Sequence, residues 1–150
     1  MRSRLPLAAI LLGLLVAACG GRPGVTVSIA GTTVPTVLAS TTEGTACSTS
    51  HGDAFPQELP LTTLHAATYV MLQFEAGQGA TQIRGWIYEG EGPSLSGPIE
   101  EFALPGRSGT YQPRSIFISR TYSVTVNVVW SFFVTQGEET HLFRLRVEPD

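Results

Sequence analysis

Apolar and polar residues alternate along most of this chain with a period of two. Val25, Val27 and Ile29 alternate with Thr26 and Ser28. Such alternation puts apolar side chains on one face of a strand and polar ones on the other. Val34 to Leu38 reads as a second short strand, with Pro35 favouring an edge or a bend. Residues 41–60 are rich in Ser, Thr, Gly and Pro and read as a long loop. Thr68 to Ala76 is a strand with Val70, Leu72 and Phe74 on one face. Gly77-Gln78-Gly79 turns the chain into a partner strand, Thr81 to Glu89. Ile99 to Leu104 follows as a short strand between two loops, residues 89–98 and 105–114. Thr121 to Val134 then sets Tyr122, Val124, Val126, Val128 and Trp130 on one face and Val129 and Phe133 on the other. Such a strand is central, or covered at its far end. Gln136 to Glu139 reads as a hairpin turn. Thr140 to Glu148 closes the chain, Phe143, Leu145 and Val147 inward and Arg144 and Arg146 outward. Heptads, long helical periods and internal repeats are absent.

Seven to nine short strands with turn-rich connections imply an all-β fold, a β-sandwich spanning residues 25–150. The immunoglobulin-like form fits best. Trp86 suits the core Trp position of the third main strand. Tyr122 suits a tyrosine corner, or equally an ordinary core aromatic. The inter-sheet disulfide of antibody domains is missing, since Val124 stands where its second Cys would fall.

The start of the chain differs in kind. Arg2 and Arg4 precede a 14-residue apolar run, Leu5 to Ala18. A permanent membrane span needs about 20 apolar residues, so the run suits an export signal better. It ends Val16-Ala17-Ala18-Cys19. That ending resembles the lipobox of bacterial lipoproteins, which are cut just before the Cys. The resemblance implies a cleaved signal peptide over residues 1–18 and diacylglyceryl on the Cys19 sulfur, with fatty acids such as palmitate anchoring the chain in membrane lipid. Two acyl chains hold a protein stably where one is marginal. An ordinary signal peptide with an incidental Cys is the alternative. Residues 19–24, the lipidated Cys and Gly20-Gly21-Arg22-Pro23-Gly24, form a short tether. The resemblance places the protein in the bacterial cell envelope, on the outer face of the cell membrane or in an outer membrane.

The stretch "GTTVPTVLASTTEGTACSTSHGDAFP" carries a second resemblance. It is similar to a segment of uncharacterised bacterial lipoproteins with an immunoglobulin-like domain. Gly31, Val34, Pro35, Thr36, Val37, Ser40, Cys47, Asp53 and Pro56 match that pattern. The family's first Cys and its Trp fall near Thr42 and Glu43, which do not match. The disulfide implied by the family is therefore lost here, and Cys47 is left without its partner. The resemblance brings no enzymatic activity.

Charge narrows the function further. The net formal charge is −3, with no Lys; removing Arg2 and Arg4 with the leader gives −3 − 2 = −5. No basic patch remains to hold phosphate backbones, so nucleic acid is excluded as a partner. Cys47, His51 and Asp53 lie close enough in sequence to suggest a thiol nucleophile with its base. The blander reading of Cys47 is a half-buried spare thiol, because the segment reads as a loop. Cys47, His51, Asp53, His65, His141 and Met71 are the ligand types available to a metal. They lack the spacing of a zinc or blue-copper site, and no metal or cofactor is expected. The three His read as surface or strand-edge residues. Glu89/Glu91, Glu100/Glu101 and Glu138/Glu139 read as solvated charges at turns. No phosphate-binding loop, nucleophile elbow or zinc-protease motif is present. The expected protein is a monomeric, non-enzymatic binding or interaction module whose partner is an envelope protein or glycan. The alternative is an envelope enzyme or redox factor using Cys47 with His51. A structural coat protein is a third possibility.

Overall fold

The computed structural model describes residues 22–45, 48–53, 58–65, 70–93, 96–116, 119–133 and 135–149. The leader, Cys19 and Cys47 lie outside these residues. The described chain is all strand and turn: β1 (Val25–Ile29), β2 (Thr32–Val34), β3 (Val37–Thr45), β4 (Ser48–Asp53), β5 (Leu61–His65), β6 (Leu72–Ala76), β7 (Ala80–Glu89), β8 (Glu100–Pro105), β9 (Ser108–Tyr111), β10 (Arg120–Phe132) and β11 (Thr135–Glu148). Among the described residues no helix is long and apolar enough to cross a membrane.

Two sheets pack face to face. One has the order β2-β1-β6-β9, the other β4-β3-β11-β10-β7-β8. All of these neighbours are antiparallel. β3 pairs with β11 from Thr135 to Leu142, and β5 then runs parallel to β11 from Arg144 to Glu148. The inner faces meet in one apolar core. Val27, Leu72 and Phe74 come from the smaller sheet; Ile83, Ile87, Val124, Val126, Phe143 and Leu145 come from the larger. β10 is central, and its Ser123 and Asn127 are buried on the face away from that core.

The alternation read in β6, β10 and β11 holds. Tyr122, Val124, Val126 and Val128 are all fully buried, as are Phe143 and Leu145. Eleven strands among the described residues nevertheless exceed the seven to nine expected. β4, β5 and β9 arise from segments that read as loops or carried no pattern, and Val34 to Leu38 is divided between β2 and β3. Pro35 lacks the N–H that a ladder needs, so pairing stops there. β3 continues through Thr41 and Thr42, and its hairpin with β4 is built from hydroxyl residues whose Thr side chains suit a pleated surface.

Trp86 is not the core residue expected. It shares a face of β7 with Arg84 and Tyr88, opposite that of Ile83 and Ile87, and it is only half-buried. The inward position beside it is Gly85, paired with Phe102 of β8. The Phe102 ring lies over Gly85 and fills the space that a side chain would take. It stacks on Tyr111 with centroids 4.3 Å apart and tilts against Phe74 at 5.2 Å. Phe74 and Tyr111 belong to the smaller sheet, so this aromatic stack joins the two layers.

Glu100 closes the same corner. It is not a free turn charge: its carboxylate accepts from the Tyr111 hydroxyl and from the backbone N–H groups of Arg114 and Ser115, at 3.0 and 2.9 Å. Burial pushes the Glu100 carboxyl up, but these bonds outweigh it and hold it below its ordinary value. Burial, reinforced by Glu100, pushes the Tyr111 phenol up to about 12. The two signs differ. A depressed carboxyl stabilises the fold above its ordinary value of 4.5 and loses that contribution as pH falls through the lowered one. A raised phenol stabilises up to its ordinary value of 10.0, and the contribution is lost as pH rises towards about 12. Tyr111→Phe should start acid unfolding at a higher pH and remove the alkaline step. Melting curves across pH, followed by circular dichroism, check both.

Candidate functional site: a groove beside the long hairpin

β10 and β11 are the longest strands, and their hairpin carries the features least explained by core packing. Phe132 pairs with Thr135, so the chain reverses between them, with Phe133 at φ 52°. The turn expected at Gln136 to Glu139 is therefore part of β11. Gly137 is there because of a close approach. A Cβ on it would sit 2.2 Å from the Thr42 carbonyl oxygen and 2.7 Å from the Trp130 ring.

Once β11 starts at Thr135, residues 137, 139 and 141 fall in phase with Phe143, Leu145 and Val147. Glu139 and His141 therefore point inward. Glu139 is 2% exposed and His141 8%. One Glu139 oxygen, Oε2, accepts from the Gly24 N–H at 3.1 Å and lies 3.3 Å from His141 Nε2. Neither is the surface or turn residue expected from sequence. The pair ties the start of β1 to the large sheet, since a buried carboxylate needs such partners.

On the other face of the same strands lies an open groove of about 620 Å³. Thr42 comes from β3, Thr81 from β7, Trp130 and Ser131 from β10, Gln136 and Glu138 from β11. A register shift between β10 and β7 at Val129/Trp130 breaks the regular ladder there. Such irregularities re-aim side chains. Glu138 accepts from Asn127 Nδ2 at 3.2 Å. The Thr42 hydroxyl lies 3.1 Å from His51 Nδ1 on β4. Trp130 Nε1 is buried with no hydrogen-bond partner among the described residues. The lining thus offers hydroxyl, amide and carboxylate groups on the face away from the core, while the Trp130 ring packs over Gly137 on the inward face.

Cys19, the expected lipid-bearing residue, lies outside the described residues, as does Cys47, so no thiol is placed beside His51. His51 and Asp53 are exposed on β4, and His65 is exposed at the end of β5. Among the described residues no three His, Cys, Asp or Glu are grouped to hold a metal. Glu89 pairs with Arg120 at 2.6 Å across exposed surface, and Glu91 pairs with Arg144. Apart from Glu138, no groove residue was singled out from sequence. The available signal was the parity of β11, which the misplaced turn hid. No family model, curated protein or solved structure matches the chain.

Proposed function

We propose that this protein is a lipid-anchored envelope module that binds a hydroxyl-rich ligand, an envelope glycan, in the groove beside the long hairpin. One observation carries the reading: Thr42, Thr81, Ser131, Gln136 and Glu138 converge from four strands on one concave surface. Clefts with a few convergent polar groups are a common form of a small-ligand site. Among the described residues Glu138 is the one titratable group in that lining, and it disfavours an anionic ligand. A neutral polyol can use the amide, the hydroxyls and the carboxylate together. The anchor rests on the sequence before Gly20, and the immunoglobulin-like relationship is part of the same proposal. Two features support that relationship: β7, β10 and β11 are neighbours in one sheet, and β6 and β9 are neighbours in the other. On this reading the hairpins β1–β2 and β3–β4 are additions.

The test is co-sedimentation with purified envelope glycan. Gln136→Ala and Glu138→Ala each remove one hydrogen-bonding group from an exposed position, so the fold should persist. Binding should fall by about tenfold for each, the worth of roughly 1.4 kcal/mol. Equal binding by both variants and the wild type would remove the groove from the account.

A further inference from the structure

Phe133 is 85% exposed, the most exposed large apolar side chain among the described residues. It also holds φ 52°, a left-handed backbone that favours Gly or Asn and strains a bulky residue. A two-residue hairpin turn normally takes Asn or Gly at such a position. Phe132 packs against it edge-on, with centroids 4.8 Å apart. An aromatic pair is thus presented at the tip of the longest hairpin, where neither exposure nor backbone favours it.

The tip lies at a defined end of the sandwich. β1 runs away from it, because Val25 pairs with Ala76, the last residue of β6. The β6–β7 turn is at the same end: Gly77 N–H donates to Pro23 O at 2.9 Å, and Ser131 N–H donates to Gly79 O at 2.9 Å. The chain before Val25 therefore leaves the fold on the side of Phe132 and Phe133. Gly24 is held at the level of Glu139 by its bond to that carboxylate. Four residues of β11 separate Glu139 from Thr135, a rise of about 14 Å. Five residues separate Gly24 from Cys19, a reach of at most about 17 Å.

We infer that the Phe132–Phe133 tip is a second, non-covalent contact with the bilayer that holds Cys19. This inference rests on the lipid anchor proposed above. The occupant follows from the chain itself: a tether this short, leaving from this end, brings lipid within reach of the tip. Aromatic rings are at home at the membrane interface. The described tip carries no Lys or Arg, so the contact is with the apolar and headgroup boundary rather than with anionic lipid charge. Two points of attachment fix the orientation of the sandwich, and the groove then opens close to the bilayer surface.

The test uses the mature protein purified from membranes and reconstituted in phosphatidylcholine vesicles. Phe133→Trp adds one indole to the native Trp86 and Trp130, so the difference spectrum reports the tip. Its emission should shift to the blue and be quenched by brominated lipid. Emission typical of water, quenched by dissolved iodide and not by brominated lipid, would overturn the inference. Intact mass of the same sample separates the two claims: without acyl groups on Cys19 the anchor fails first. Phe133→Asn gives a second readout. A tip residue kept for lipid contact is dispensable to the fold, so the melting temperature should stay the same or rise. A clear fall would show that Phe133 serves packing, and would also overturn the inference.

Discussion

Replacing Gly85 with alanine is expected to destabilise the domain by about 2 kcal/mol, the middle of the range for overpacking a filled core. The cause is geometric. A Cβ at this position would lie 2.0 Å from Cζ of Phe102, well inside contact distance. The ring cannot simply swing away, because Tyr111 stacks on one side and Phe74 tilts against it on another. Either the stack that joins the two sheets shifts, or β8 moves off β7. β8 is an edge strand with one neighbour in its sheet, so movement is possible and keeps the cost below that of a clash between central strands. A loss of roughly 8 °C in Tm should follow for a domain of this size. Phe102→Leu in the same chain should recover part of the loss, since a smaller side chain leaves room for the new methyl. A double-mutant cycle by thermal unfolding measures that coupling. Additive losses would mean that the ring and Gly85 do not share the space.

The sequence was most legible where one face of a strand is buried in the apolar core. Tyr122 to Val128 and Phe143 to Val147 alternate without interruption, and both strands form as read. It was least legible where a strand buries no apolar side. β3 and β4 pair through Thr41, Thr42, Ser50 and Gly52, and hydropathy has no period to detect there. β5 is stabilised by parallel pairing with a strand far along the chain, which no local pattern announces. Trp86 misled through size alone; its phase with Arg84 and Tyr88 places it outward. The hairpin turn was misplaced because Gly137 and two Glu have the composition of a turn. Their actual roles depend on Thr42 and Trp130 across the sheet, and on Gly24 at the far end of the chain. The groove was hidden for the same reason: Thr42 meets Glu138 only once β3 is laid against β11.

The other large effect concerns attachment. On the proposed anchor, Cys19→Ser removes the sulfur that would take the diacylglyceryl group, and with it the acyl chains. Each buried methylene contributes about 0.8 kcal/mol to membrane affinity, so losing even one long chain is decisive. The wild-type protein should enter the detergent phase on partitioning, and Cys19→Ser should lose that lipid-dependent behaviour. The most direct measurement is the intact mass of the protein purified from bacterial membranes. The account predicts a chain that starts at Cys19 and carries the added mass of diacylglyceryl. A chain that retains residues 1–18, or one that starts elsewhere without lipid, would contradict it.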